Sequence, residues 1–198
     1  AKSWEFSPDK RSIVFQLRTD VFFHNDPAFP NGKGRRLTAR DVEYSFSRIL
    51  NKATASPGAW IFNDRVDSLN PFAALNDSSF QLNLVRPFQP ILGILSMQYC
   101  SIVPREAVEK YKTDFRRHPV GSGPFAFVAW DEGQALIMKK NENYFEADSS
   151  GKKLPYLDGI KVSFFDSKAT EFLEFRQNRL DFINDIEGLI YAFYPGQE

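Results

Sequence analysis

Apolar and polar residues alternate in three short stretches of the chain, a pattern typical of strands with one buried face. These stretches are residues 13–17, 80–84 and 160–164. Residues 21–24 are mostly apolar and are expected to continue the first strand after a bend. Segments 125–130 and 134–139 flank the turn sequence Asp-Glu-Gly and predict a hairpin.

The clearest helix signal begins at Thr38, whose hydroxyl can cap the first turn. Asp41 follows three residues later, where its carboxylate can reach back and complete a capping box. One face of the helix is then apolar, formed by Val42, Phe46, Ile49 and Leu50. The spacing predicts a helix with this face turned inward and Arg40, Glu43 and Arg48 outside.

Weaker signals predict the remaining elements. Helix starts are expected at Ser56-Pro57, at Pro104 and at Ser167, with a short apolar helix over 91–97. The helix after Ser167 is expected to bury Phe172, Leu173 and Phe175. Short strands are predicted over 99–103 and 181–183. Strands and helices without strict alternation indicate an α+β fold.

Composition narrows the class of protein. The 198 residues carry 25 basic and 25 acidic side chains, and a chain with no net charge lacks the positive field that collects nucleic-acid phosphates. The single cysteine, Cys100, cannot form an internal disulfide. No apolar run approaches the length of a membrane helix, and no signal peptide is visible. We expect the chain to be an internal part of a longer protein.

The residues that usually carry catalysis are sparse. His24 and His118 are the only imidazoles, and no metal-ligand spacing surrounds them, so both are interpreted as partly exposed or hydrogen-bonded histidines without a ligand role. The Gly-Ser-Gly sequence at 121–123 matches neither a nucleophile elbow nor a phosphate loop. The sequence therefore predicts no catalytic residue, no metal site and no cofactor, and it favours a binding protein over an enzyme.

Six segments in order along the chain resemble one known family. They are residues 13–26, 37–50, 119–125, 141–145, 155–160 and 173–182, and they include Leu-Thr-Ala-Arg-Asp-Val at 37–42 and Gly-Ser-Gly-Pro-Phe at 121–125. Together they resemble the bacterial extracellular solute-binding proteins of family 5, the oligopeptide- and dipeptide-binding receptors of ABC importers. Asn25-Asp26 departs from the family's Asp-Gly, and Asn178 stands where the family often has Gly.

The resemblance implies part of a periplasmic-binding-protein-like fold of type II, the dipeptide-binding-protein-like class, with a mixed sheet and flanking helices. Such receptors have two lobes that close over a solute. By resemblance, residues 1–120 would form the smaller subdomain of lobe I and residues 121–185 part of its main sheet. Residues 186–198 would begin the crossover to the second lobe.

By the same resemblance, Trp60, Met97, Tyr99 and Cys100 are the expected ligand-binding residues, each with burial in the core as its alternative. The implied partners are a peptide or other small solute in the interlobe cleft and an ABC permease in the inner membrane. No nucleic acid is expected, and the protein is expected to be monomeric.

The implied location is periplasmic or extracytoplasmic, with lipid anchoring through a signal region that this chain does not contain. Two alternatives share features with this interpretation. A ligand-sensing module of a regulator would use the same fold without transport, and a hydrolase with a peptide or carbohydrate cleft would need a catalytic pair.

Overall fold

A four-stranded antiparallel sheet organises the first part of the chain, in the spatial order β1-β2-β4-β3. The computed structural model describes residues 1–184. In chain order, the strands and helices are β1 Ser3–Phe6, β2 Ser12–Gln16, α1 Ala39–Leu50, β3 Phe72–Asn76, β4 Ser79–Asn83, α2 Ile91–Leu95, α3 Arg105–Tyr111, β5 Phe125–Asp131, β6 Ala135–Lys140, β7 Gly159–Ser163 and α4 Lys168–Arg176.

Two compact units make up the chain. The first comprises Ala1–Phe127 and Lys139–Asp158, and the second comprises Val128–Met138 and the residues from Gly159 onward. The predicted crossover segment, residues 186–198, lies outside the described residues. No helix within residues 1–184 combines the length and the apolar character that crossing a membrane requires.

The core of the first unit forms where α1 packs on the four-stranded sheet. The predicted strands are confirmed in β2 and β4, where Phe15 lies opposite Phe80. Phe46 of α1 is buried, and its ring centroid lies 5.6 Å from that of Phe80, 5.5 Å from that of Phe72 and 5.1 Å from that of Phe62. The abundance of Phe therefore produces one aromatic centre that joins helix, sheet and loop.

The predicted N-terminus of α1 is confirmed. Thr38 precedes the helix in an extended conformation, and its backbone N–H donates to Asp41 Oδ2 at 2.8 Å. The same carboxylate accepts two hydrogen bonds from Arg35, at 2.8 and 2.7 Å. The cap of α1 is thus also an ion pair, because Asp41 serves both the helix terminus and a neighbouring cation.

Several weak predictions are wrong. Residues 21–24 form no strand beyond one bridge between Phe22 and Arg36. The segment after Ser56-Pro57 forms only a single 3-10 turn, Ala59–Ile61. Residues 99–103 are not a strand, because a 3-10 turn at Gln98–Cys100 occupies their start. Short apolar runs do not distinguish a strand from a buried turn, and tertiary packing decided these cases.

The second unit contains parts of a three-stranded sheet of order β5-β6-β7. The predicted hairpin is confirmed, and its turn uses Gly133 at a φ of 78°, where glycine is favoured. The predicted cap of α4 is also confirmed, since the Ser167 hydroxyl accepts from the Thr170 N–H at 3.2 Å.

The predictions at the end of the described chain are partly wrong. Phe172 is buried in α4 as expected, whereas Leu173 and Phe175 are exposed. Residues 181–183 form no strand, and Phe182 is exposed. Which apolar residues of a short helix become buried depends on the surface that packs against it. The sequence of the helix alone does not determine this.

Candidate functional site

The 3-10 turn that carries Trp60 places this side chain on the surface of the first unit. Its neighbours Ile61 and Phe62 are fully buried in the aromatic core, whereas Trp60 remains 44% exposed. The turn is anchored by the two buried residues, and the indole is left facing outward. Trp60 is therefore not a core residue, and its contact with a ligand stays a prediction.

The Arg65 side chain folds back onto this turn and stabilises it by hydrogen bonds. Its Nη1 donates to the backbone carbonyls of Trp60 at 2.6 Å and Ile61 at 3.2 Å. Its guanidinium carbon lies 5.6 Å from the Trp60 ring centroid and 5.0 Å from that of Phe88. Arg65 and Phe88 were not predictable as site residues from the sequence, since only the folded chain brings residue 88 to this turn.

Tyr99 contacts the segment that leads into the Trp60 turn. A Cβ atom built on Gly58 would lie 2.7 Å from the Tyr99 Cβ, closer than side chains approach one another. Tyr99 is half-buried and packs against the aromatic core. The structure therefore brings together two of the predicted ligand-binding segments, and Gly58 is the residue that allows their approach.

Met97 and Cys100 stand at the two ends of one tight turn but differ in exposure. The Cys100 N–H donates to the Met97 carbonyl at 3.0 Å. Met97 is 38% exposed, while Cys100 is only 7% exposed. Burial raises the pKa of the Cys100 thiol to about 11, so the sulfur stays protonated at neutral pH and is a poor nucleophile.

Cys100 lines an open apolar groove of about 390 Å³ in the first unit. This volume falls within the range of small-ligand sites. The apolar groove lies among β1, β2, β4, α1 and the α2 segment, and it is lined by Ala1, Trp4, Phe15, Leu17, Val42, Phe46, Phe80, Leu92, Leu95, Ser96, Cys100 and Ile102. Trp4 and Leu92 belong to no recognisable sequence motif, so their place in the groove was not predictable from the sequence.

His24 anchors the glycine-rich segment 121–123. Its Nε2 lies 2.9 Å from the Gly123 carbonyl oxygen, and its Nδ1 accepts a long hydrogen bond from the Gly121 N–H at 3.4 Å. Because a carbonyl only accepts, Nε2 carries the hydrogen, and because Nδ1 accepts from an N–H, the ring is neutral. Burial lowers the pKa of His24, while its bond to Gly123 opposes that shift. The interpretation of His24 as a hydrogen-bonded histidine is confirmed.

An ionic cluster centred on Arg35 holds α1 and α3 together. Arg35 Nε and Nη2 donate to the two carboxylate oxygens of Glu106 at 2.6 and 2.9 Å, in addition to the bonds to Asp41. Arg35 lowers the pKa of Glu106, because the cation stabilises the charged carboxylate. Each of these charges has an oppositely charged partner within the chain, so the cluster is a structural connection.

Metal-ligating side chains do not gather anywhere in residues 1–184 in groups of three or more. Within the same part of the chain, every buried side-chain nitrogen and oxygen has a hydrogen-bond partner. The features available for recognition are therefore the exposed Trp60 turn with Arg65 and Tyr99, the exposed Met97, and the apolar groove.

Comparison with known proteins gives consistent matches over nearly the whole chain. Residues 1–194 match the model of the bacterial extracellular solute-binding proteins, family 5 Middle. Heme-binding protein A of Haemophilus influenzae is 27% identical over 195 residues, which cover 92% of this chain and 34% of the relative. The dipeptide-binding protein of Escherichia coli is 26% identical over 190 residues, covering 90% and 34%.

A solved structure extends the match to three dimensions. The ABC transporter-associated periplasmic binding protein DppA from Helicobacter pylori, in complex with the peptide STSA, is 29% identical and superposes with a TM-score of 0.76. The match covers 91% of this chain and 36% of that one. The chain therefore spans about a third of the length of the relatives it matches.

Proposed function

Because the chain belongs to the bacterial extracellular solute-binding proteins of family 5, we propose that it is a segment of the solute-binding component of an ABC-type importer. The family match across residues 1–194 is the observation that carries this proposal. A binding component needs a surface that recognises solute and no machinery for bond cleavage. We accordingly propose that the protein is not an enzyme and works without a cofactor.

The solute is an oligopeptide or a dipeptide. Support comes from the dipeptide-binding relative and from the peptide held by the similar solved structure. An exposed indole and an exposed thioether suit such a solute, because they offer adaptable apolar area to side chains of different shape. Trp60, Met97 and Tyr99 contact the solute, and Cys100 contributes its apolar wall.

Two parts of one lobe are present in the chain. Residues 1–120 form the smaller subdomain of lobe I, and residues 121–185 supply strands of its main sheet. The exposure of Val128 in β5 and Val162 in β7 supports the second assignment, since apolar strand residues require cover from further chain. The missing part of the protein provides the second lobe, which closes over the solute.

The setting follows from the family, whose members are extracellular or periplasmic. The protein acts as a monomer that delivers its solute to a permease in the inner membrane. A lipid anchor on a segment outside this chain keeps it near that permease. These partners and this anchor belong to the whole protein, of which the chain is one part.

Native mass spectrometry of the full-length protein, purified from its host without added ligand, tests the proposal. A reproducible set of bound peptides is the expected result. Titration calorimetry with a defined tripeptide set then compares wild type with Trp60→Ala, which should bind at least about tenfold more weakly. A single metal chelate as the only bound species, or no bound solute and no peptide affinity, would contradict the proposal.

A further inference from the structure

Arg65 is held in one position while part of its hydrogen-bonding capacity remains unused. A guanidinium carries N–H groups on Nε, Nη1 and Nη2. Nη1 is engaged by the carbonyls of Trp60 and Ile61. The N–H groups on Nε and Nη2 have no acceptor among residues 1–184. Arg65 therefore has a free donor pair whose geometry is already fixed.

The charge of Arg65 is also uncompensated. No carboxylate of residues 1–184 forms an ion pair with it, although Asp64 is its neighbour in the sequence. Oδ1 of Asp67 accepts from the backbone N–H groups of Leu69 and Asn70, at 2.9 and 2.8 Å, and Asp67 forms no ion pair with Arg65. A half-buried cation without a counterion favours an anion from outside the described chain.

Two other arginines of the first unit are arranged differently. Arg35 is bound by two carboxylates, and Arg18 is paired with Asp20 at 2.6 Å. Those cations have their anions within the chain and are structural. Arg65 has instead two aromatic neighbours, Trp60 and Phe88. Aromatic contact orients a guanidinium without neutralising it.

The surroundings of Phe88 add positive charge. Phe88 also lines a cleft of about 190 Å³, together with Phe6, Lys10, Pro87 and Gln89. Lys10 is exposed and forms no ion pair within the described part of the chain. The rings of Trp60 and Phe88 thus border a surface with two unpaired cations, where a carboxylate can bind while apolar groups contact the rings.

We propose that Arg65 binds a carboxylate of the solute beside Trp60, through its Nε and Nη2 N–H groups. The group is the C-terminal carboxylate of a peptide or the carboxylate of an acidic side chain. A guanidinium presents two parallel donors that match the two carboxylate oxygens. This inference rests on the proposed function and adds a charge requirement to it.

The experiment uses the full-length protein and titration calorimetry with tripeptides. Each peptide is measured as the free acid and as the C-terminal amide, and a glutamate-containing amide tests the side-chain source. Wild type should bind at least one carboxylate form about tenfold or more tightly than its uncharged counterpart. In Arg65→Gln this preference should fall to nearly onefold, and Arg65→Lys should retain part of it.

Arg86→Gln is the matched control, because Arg86 is an exposed cation on the neighbouring segment without a ring or ion-pair contact in residues 1–184. It should keep the wild-type preference. The preference compares two ligands on one variant, so a purely structural role of Arg65 would lower both affinities together and leave the ratio unchanged. An unchanged ratio in Arg65→Gln overturns the inference alone. A wild type that binds none of the peptides overturns the proposed function and this inference with it.

Discussion

At the scale of single residues, close contacts and hydrogen bonds decide how the candidate site is held. Gly58 has a φ of −84°, which any residue can adopt, so its importance lies in the space beside it. That space is filled by the ring-bearing Cβ of Tyr99. His24 acts through hydrogen bonds instead, since its two ring nitrogens bind two backbone groups of the segment 121–123.

Gly58→Ala is expected to destabilise the protein by about 1–3 kcal/mol, because the new methyl group would overlap Tyr99. Urea unfolding followed by fluorescence measures this change in the free energy of unfolding. Gly93→Ala is the control, since no atom lies within 4 Å of a Cβ built there and the residue is within α2. It should be neutral or gain up to about 1 kcal/mol. Equal effects of the two substitutions would contradict the explanation.

His24 is expected to make stability depend on pH. Its pKa in the folded protein lies below the ordinary value of 6.5, so below that value the unfolded chain binds a proton more readily than the folded one. The contribution of His24 is complete above pH 6.5 and is lost as the pH falls through the folded pKa.

Unfolding free energies measured between about pH 7.5 and 5 check this expectation. The wild type should lose more stability on acidification than His24→Gln, which cannot be protonated. Parallel curves for wild type and His24→Gln would refute the assignment.

At the scale of elements, α1 has the most strongly determined ends and face. Asp41 is buried and accepts hydrogen bonds from Thr38 and Arg35, so the helix cap and the connection to α3 share one carboxylate. The 3-10 turns at residues 59–61 and 98–100 are different, because their positions follow from packing on α1 and the sheet.

Asp41→Ala is expected to cost about 2–3 kcal/mol, because it removes a helix cap and leaves Arg35 with one carboxylate partner. Asp41→Asn should cost less, since the amide oxygen can still accept from the Thr38 N–H. Glu109→Ala removes only an exposed contact of 3.9 Å to Arg105 and should change stability by less than about 0.5 kcal/mol. Thermal and urea unfolding measure the stability of the three variants. A smaller loss of stability in Asp41→Ala than in Glu109→Ala would exclude the shared role of Asp41 as helix cap and ion-pair partner.

At the scale of the whole molecule, the two units differ in how completely they bury their apolar side chains. The first contains a core of aromatic and aliphatic residues around Phe46. Among the described residues of the second, apolar side chains such as Val128, Val162 and Phe164 remain exposed. This contrast fits a chain that spans about a third of its relatives' length.

We therefore expect the strands of the second sheet to be better protected in the full-length protein than in the 198-residue chain alone. Hydrogen exchange measured by mass spectrometry on both should show slower exchange over β5 and β7 in the full-length protein. The core strands β2 and β4 should exchange at similar rates in the two. The shorter chain should also show no measurable peptide affinity, and equal protection or equal affinity would contradict the assignment of this sheet to a larger lobe.

The sequence by itself determined the strands β2, β4 and β7, the hairpin β5-β6, the capped helices α1 and α4, and the family. These features depend on local spacing, since a period of two, a capping residue and a turn glycine act through neighbours in the chain. The four predicted site residues came from resemblance, and the sequence could not separate the exposed Trp60 from the buried Cys100.

Only the tertiary structure decided which apolar residues face outward and which distant residues meet. Arg65, Phe88 and Trp60 are brought together by the packing of a turn on the aromatic core, and His24 reaches the segment 121–123 across almost a hundred residues. Burial and long-range pairing depend on all surrounding elements at once, whereas the pattern of one segment records only its own preference.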